Sequence, residues 1–256
     1  MAYRVLGTLL RWVGELRPAF TQPGFENALV VFVGRVLTEG THAVTRALVH
    51  TDVARRRHHE AFHRFFSRGT WKPDEVGRLL LTHVVRRLCR GRAVRLVVDD
   101  TLAAKKGPQV FGIGSHLDAV RSTKKFRVFC FGHVWVVLSV LVRVPFSARP
   151  WALPVLFRLY RNNKDCEAGQ YRKKTELARE MVDVVCGWLP QGRIEVASDS
   201  AYCNDTIFRG LPERVLRRGP DGAGGGVRLR RCWQCEGLIE ALAEEDGVAQ
   251  STKPAE

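Results

Sequence analysis

The chain has 256 residues, of which 45% are hydrophobic, so it can bury one large core or two small ones. Lys and Arg outnumber Asp and Glu by 41 to 26, which gives a formal net charge of +15 and a pI near 10.1. This basic excess is atypical of a cytosolic enzyme acting on small molecules. It favours nucleic acid over a membrane surface as the partner, since no long basic amphipathic helix is evident.

The apolar stretches predict neither a secretory leader nor a membrane span. Arg4, Arg11 and Glu15 interrupt the first apolar stretch. The longest one, over residues 128–142, is shorter than the roughly 20 residues that cross a bilayer. The seven scattered cysteines are odd in number and do not indicate a disulfide framework. We therefore expect a cytoplasmic protein that has no membrane association.

Residues 1–90 are predicted to be helical. Apolar residues recur at helical spacing over residues 26–37, and further helices are predicted over residues 41–50, 52–66 and 71–89. Short basic helices joined by brief loops are typical of a DNA-binding domain. A helical bundle that only packs on the next domain is the alternative.

Residues 91–217 are predicted to form an α/β layer. The predicted elements are a strand over 93–98, two strands around Gly132 within 125–144, a strand or short helix over 152–160, a helix over 173–189, a strand over 193–198, a short helix over 204–211 and a short strand over 213–216. Strands followed by helix, strand and helix indicate a ribonuclease H-like mixed sheet flanked by helices. Residues 218–256 begin with a glycine-rich segment, which lacks the Gly-Lys-Ser/Thr sequence that ends a phosphate-binding loop. This composition predicts an irregular or disordered tail.

Three aspartates follow the predicted strands. Asp99 and Asp100 come directly after one apolar run, and Asp199 comes after another. Carboxylates at neighbouring strand ends are suited to holding Mg²⁺ for phosphodiester chemistry, although Asp is also common in turns and helix caps. Because successive strand residues point to opposite faces, only one of Asp99 and Asp100 is expected to meet the metal.

Basic residues flank these acids. Lys105 and Lys106 follow the first acids and are candidates for phosphate contact, with a solvated turn as the alternative. Four basic runs are present, and together they favour backbone phosphate contacts. The runs include Arg55 and Arg56, residues 86–95, Arg172, Lys173 and Lys174, and residues 214–231.

Other residue groups are weaker candidates. Gly112, Gly114, His116 and Asp118 predict a hairpin or loop beside the site. Two groups lack the partners that a zinc site needs, and metal binding by them is not favoured. These groups are His58, His59 and His63, and the pair Cys232 and Cys235.

In several segments the chain resembles the insertion-sequence transposases of the DDE superfamily endonuclease group. The central segments are Val97-Val-Asp99-Asp100-Thr-Leu with Lys105-Lys-Gly, and Ala197-Ser-Asp199-Ser-Ala-Tyr202. Supporting segments are Phe111-Gly-Ile-Gly, Gly132-His-Val-Trp-Val-Val-Leu, Leu156-Phe-Arg-Leu-Tyr-Arg, Arg17-Pro-Ala-Phe and residues 58–66. Together they span about residues 15–217.

The resemblance implies a ribonuclease H-like fold that binds Mg²⁺ or Mn²⁺ through two Asp and one Glu. It implies DNA cleavage and strand transfer at element ends and a target, and a homo-oligomer is a further expectation. Asp99 matches the first acid and Asp199 the second, and both would be metal ligands. Asp100 is the fallback for the first acid.

The tail departs from the resemblance, because no Glu after residue 217 lies in a matching context. A frameshift or premature stop would produce such a tail. We therefore expect the ribonuclease H-like core over residues 91–217 to be incomplete and this copy to be weak or inactive. The alternatives are a catalytically dead DNA-binding fragment that binds element ends or regulates an intact relative, and a nuclease with a different third acid.

Overall fold

The computed structural model of the protein describes residues 2–40, 43–53, 57–89, 91–107, 110–199 and 201–218, with the side chains of residues 2–6, 217 and 218 left undescribed. The chain divides into two compact units, residues 1–80 and residues 81–256, and each is described by itself.

The first unit is helical. Thr21 begins the second helix, since its Oγ1 accepts a hydrogen bond from the N–H of Gly24 at 3.3 Å. Gly34 allows the next helix to approach closely, because a Cβ there would lie 2.3 Å from the carbonyl oxygen of Ala47. The helices are α1 (Ala2–Gly14), a 3₁₀ turn (Arg17–Ala19), α2 (Gln22–Leu37), α3 (Val44–His50), α4 (Glu60–Arg68) and α5 (Pro73–Val84), the last crossing the division between the units.

The core of this unit is a buried cluster of Val31, Leu48 and Phe62. Beside it, the Trp71 ring stacks on Phe20 and Phe65 with centroid distances of 5.9 and 5.8 Å. The indole N–H of Trp71 also donates to the Phe65 carbonyl at 3.2 Å, which satisfies the polar end of this side chain.

One helix boundary was predicted wrongly. The helix expected from Asp52 begins only at Glu60. Asp52 has a φ of 56°, in the left-handed region, which a continuous right-handed helix excludes. Within the other predicted helices, residues 41 and 42 lie outside the described residues, and α5 is followed by a π-helical turn (Val85–Cys89).

The second unit contains a mixed six-stranded sheet in the order β2-β3-β1-β5-β6, with β4 paired to β3 on the same edge as β2. β1 is antiparallel to β3 and parallel to β5. The elements are β1 (Val94–Ala104), β2 (Gly114–Leu117), β3 (Phe129–Val142), β4 (Trp151–Tyr160), a 3₁₀ turn (Asn163–Asp165), α6 (Lys174–Trp188), β5 (Ile194–Ser198), α7 (Asp205–Phe208) and β6 (Val215–Arg218). The predicted α/β fold class is confirmed, and residues 152–160 are a strand.

The main core lies between this sheet and α6. Leu96 and Val98 of β1 alternate with residues of the opposite face, and both are buried. Leu138 of β3 is fully buried, as are Met181 and Val185 of α6, which is amphipathic at helical spacing. This packing fixes which face of β1 is covered by the helix.

Two strand predictions were wrong in extent. Residues 129–142 form one strand instead of two, because Gly132 allows close approach to β1: a Cβ there would lie 2.4 Å from the Ala103 carbonyl oxygen. β1 also continues past Asp99 to Ala104, since β3 pairs with it that far. Only the pairing with β5 stops at Val98 and Ser198.

Among the described helices, none is long and apolar enough to cross a bilayer. The residues after 218, including the predicted irregular tail and the pair Cys232 and Cys235, lie outside the described part of the chain.

Candidate active site

Asp99 within β1 and Asp199 directly after β5 occupy equivalent positions relative to the pairing of these two parallel strands. The last paired residues of β1 and β5 are Val98 and Ser198, and each aspartate is the next residue of its segment. Parallel strands lie about 4.8 Å apart, and residues in register point to the same face. The parallel register therefore places Asp99 and Asp199 at one level of the sheet.

Asp100 lies on the opposite face of β1, towards α6. Its Oδ2 forms an ion pair with Nζ of Lys174, the first residue of α6. The carboxylate of Asp99 instead accepts the N–H of Asp100 at 2.8 Å. Lys174 therefore balances the charge of Asp100.

Asp199 organises the turn that follows β5. Its Oδ1 accepts the N–H groups of Ala201 and Tyr202 at 3.0 and 3.1 Å. Such a turn holds the carboxylate in one orientation. The residue that caps α7 is Asn204, so Asp199 is not the cap of that helix.

Tyr202 is buried beside the three aspartates. Burial raises the pKa of its phenol, and the negative charges of Asp100, Asp199 and Asp99 raise it further. The hydroxyl lies close to Asp100 without reaching hydrogen-bond geometry, and it has no hydrogen-bond partner within the described structure. The buried hydroxyl of Ser198 also lacks a partner there.

These observations fit a divalent cation. Carboxylate oxygens are the ligands that Mg²⁺ and Mn²⁺ prefer. However, no group of three or more His, Cys, Asp or Glu side chains that could hold a metal ion occurs in the described parts of the chain. The ring centres of His58 and His59 lie 4.4 Å apart, and those of His59 and His63 lie 5.9 Å apart. These three histidines form no such metal-binding group.

A second polar cluster lies on the α6 side of the sheet. Nζ of Lys174 lies 5.5 Å from the centre of the Tyr160 ring, whose hydroxyl is 3.4 Å from that of Tyr171. Burial and the Tyr171 hydroxyl raise the pKa of Tyr160 to about 12. Burial, and then the charge of Lys174, lower the pKa of His116. Both side chains are therefore held uncharged at neutral pH.

The predicted DNA-contacting residues differ in their surroundings. Arg172 forms an ion pair with Glu180, and Lys174 forms one with Asp100, so DNA would have to compete for both. The remaining lysines, Lys105, Lys106 and Lys173, are exposed. Arg55 and Arg56 lie outside the described residues.

Sequence reasoning missed the positions of two side chains near the acids. Tyr202 follows Asp199 by three residues, and its large ring in a turn was the available indication that it is buried. The contact between Lys174 and Asp100 joins residues 74 positions apart, and no local pattern indicates it.

The mixed sheet with its flanking helices has the architecture of a ribonuclease H-like α/β domain. A family model described as DDE superfamily endonuclease matches residues 15–217. The chain therefore belongs to the DDE superfamily endonucleases, which act on DNA and generally use divalent metal ions. No curated protein matches it.

Proposed function

We propose that this protein is an insertion-sequence transposase, which cleaves DNA at the ends of its element and transfers the cut strand to a target. The proposal is supported by the positions of Asp99 and Asp199, which directly follow the last paired residues of two neighbouring parallel strands. Both residues lie within the region that the family model matches.

Asp99 and Asp199 are the proposed ligands of Mg²⁺ or Mn²⁺. When bound, the ion supplies Lewis acidity at the scissile phosphate. Asp199 is held in orientation by the two amides of its own turn. Asp100 is the less favoured first acid, because Lys174 already neutralises it and α6 covers its face.

The exposed lysines near the acids are the proposed phosphate contacts. Lys105 and Lys106 follow β1, and the N–H of Lys105 donates to the Phe131 carbonyl at 3.0 Å, which fixes the backbone there. Lys173 precedes α6 and is also exposed. Their ammonium groups would position the DNA backbone without reading its sequence.

Metal binding and DNA cleavage, the two steps of this proposal, can be tested separately on the full chain. Mn²⁺ binding is measured by calorimetry, and nicking of supercoiled plasmid is measured with Mg²⁺ or Mn²⁺ added. We expect Asp99→Asn and Asp199→Asn each to reduce both by at least about 100-fold, since even outer-shell changes cost 10–100-fold. Asp100→Asn is expected to keep most of both.

The matched control is Asp183→Asn, which removes an exposed carboxylate that pairs with Arg179 within α6. It should change neither metal binding nor nicking. If Asp100→Asn abolishes metal binding and Asp99→Asn does not, the assignment of the first acid moves to Asp100. If none of the three variants affects nicking, the proposed site is wrong.

A DNA-binding protein without cleavage activity is the second candidate. Two carboxylates share this edge within the described residues, whereas the family's chemistry uses three acids. With two ligands we expect weak ion binding and weak or absent strand transfer. Salt-sensitive binding to element ends without nicking by the wild-type chain would favour this candidate. Cleavage of an RNA–DNA hybrid would instead favour a different nuclease.

A further inference from the structure

The hairpin formed by β2 and β3 exposes an unusual number of aromatic rings. Phe126, Phe129 and Phe131 expose 68%, 62% and 65% of their surface. Single exposed apolar residues are ordinary, but a contiguous group of large ones marks a binding surface. Residues 114–131 are called the aromatic hairpin below.

The strand register aligns two of these rings, those of Phe129 and Phe131, on one face with Leu117. Phe129 is paired with Leu117 and Phe131 with Ser115, so the three apolar side chains lie on the same side of the sheet. Leu117 is itself 48% exposed. The face is therefore apolar and accessible along both strands.

The same face carries the first candidate metal ligand. β3 residues two apart share a face, so Val137 lies on the face of Phe131, and Val137 is the partner of Asp99 in β1. Along β3, Phe131 lies six residues before Val137, the partner of Asp99. At 3.3 Å per residue this corresponds to a distance of about 20 Å along the sheet. A DNA strand leaving the acids along this face would reach the rings within a few nucleotides.

The surroundings of the aromatic hairpin are strongly basic. Six cationic residues lie within residues 105–131: Lys105, Lys106, Arg121, Lys124, Lys125 and Arg127. Asp118 is the one acid in that stretch of sequence. Its Oδ1 accepts the N–H groups of Val120 and Arg121, both at 3.0 Å, and its Oδ2 forms an ion pair with Arg121 at 3.5 Å, so it balances one of the six cations.

The loop of the hairpin is ordered by its own hydrogen bonds. Ser122 Oγ accepts the N–H of Val128 at 2.9 Å, and the N–H of Thr123 donates to the Phe126 carbonyl at 2.8 Å. A loop that is ordered before binding loses little conformational entropy on binding. The exposed rings are thus presented by a preorganised element.

We propose that the aromatic hairpin binds single-stranded DNA next to the cleavage site, by stacking unpaired bases on Phe129 and Phe131. Exposed rings combined with cations suit bases whose faces are free, and duplex DNA hides those faces within its own stack. The charge disfavours a second copy of this chain as the occupant, because two such basic surfaces repel each other. The inference rests on the proposed action on DNA.

The test measures binding in EDTA, so that it does not depend on cleavage. Fluorescence anisotropy compares a labelled 20-nucleotide single strand with the same sequence as a duplex. Stacking contributes about 1–3 kcal/mol per base, so Phe129→Ala with Phe131→Ala should weaken single-strand binding at least about tenfold. Duplex binding should change less than about threefold.

Two further variants separate stacking from folding and from apolarity. Phe129→Trp with Phe131→Trp should retain single-strand binding, while Phe129→Leu with Phe131→Leu should lose it. The matched control is Phe146→Ala, which removes an exposed ring that contacts Trp151 between β3 and β4. It should leave binding unchanged.

The inference is overturned if the double alanine variant binds the single strand as tightly as wild type, or if leucine preserves binding. It is also overturned if sedimentation shows that the wild type is a dimer and the double alanine variant is a monomer. Binding of the rings to anionic vesicles in place of DNA would overturn it as well. If single-strand binding behaves as expected but plasmid nicking fails, the proposed cleavage activity fails and the stacking surface stands.

Discussion

Among single residues, Tyr202 has the least favourable environment for its polar atom. Its hydroxyl is buried beside three carboxylates and has no hydrogen-bond partner in the described structure. A buried polar group without a partner costs roughly 1–3 kcal/mol of stability. Because the phenol lies beside Asp100, Asp199 and Asp99, removing its hydroxyl tests how that group affects the stability of this cluster.

This reasoning predicts the effect of Tyr202→Phe on stability without metal. In EDTA, the free energy of unfolding should stay equal to that of wild type or rise by up to about 1 kcal/mol, because an unsatisfied hydroxyl is removed. Urea unfolding followed by circular dichroism measures it. Tyr171→Phe is the control and should lower stability, since that hydroxyl has the Tyr160 hydroxyl at 3.4 Å. A clear loss for Tyr202→Phe would mean that the phenol does hydrogen-bond to Asp100.

At the scale of elements, Glu180 connects α6 to the sheet. Its Oε1 accepts from Nε of Arg158 in β4 at 2.8 Å, and Oε2 pairs with Arg172 ahead of the helix. Burial alone would raise the pKa of Glu180, but the hydrogen bonds and charges of Arg158 and Arg172 lower it overall. The ion pairs therefore help to hold α6 on the face that carries Asp100.

The lowered pKa of Glu180 gives a pH-dependent prediction. A carboxyl whose pKa is lower in the folded state stabilises the fold above its unfolded value of 4.5, and this contribution is lost as the pH falls through the folded value. Glu180→Gln should lower the free energy of unfolding by roughly 1–2 kcal/mol at pH 7, after allowance for partial exposure. The difference from wild type should shrink by pH 3, as urea unfolding at both pH values would show.

The control for this prediction is Asp183→Asn. That carboxylate is 51% exposed and pairs with Arg179 one turn earlier on the same helix. Exposed pairs of this kind contribute little, so the variant should change stability by less than about 0.5 kcal/mol. An effect of Glu180→Gln no larger than the control's, or one independent of pH, would contradict the connecting role of Glu180.

At the scale of the whole molecule, the sequence predicted the features that local patterns encode. The β-branched runs before Asp99 and Asp199 indicated the two strands, and helical spacing indicated α6. The continuity of β3 through Gly132 was missed, because glycine reads as a breaker until the neighbouring strand is known. The pairing of Asp100 with Lys174 depends on tertiary packing that a single sequence does not encode locally.

The net charge of +15 gives the last prediction, which concerns the full chain. Each phosphate neutralised by Lys or Arg adds about −0.9 to the slope of log affinity against log salt on duplex DNA, so five contacts give a slope near −4.5. Anisotropy titrations of a labelled duplex between 50 and 300 mM KCl should show a slope at least as steep as about −4.

Asp199→Asn separates this binding from catalysis, because it removes a proposed metal ligand and no cation. It should leave the salt slope measured in EDTA unchanged, while nicking measured with Mg²⁺ or Mn²⁺ added should fall at least about 100-fold. A salt-independent affinity for wild type would contradict both the transposase and the DNA-binding proposals, since each requires phosphate contacts by the basic residues. A steep slope in both proteins, with nicking in wild type alone, would assign DNA binding to the basic surface and cleavage to the aspartates.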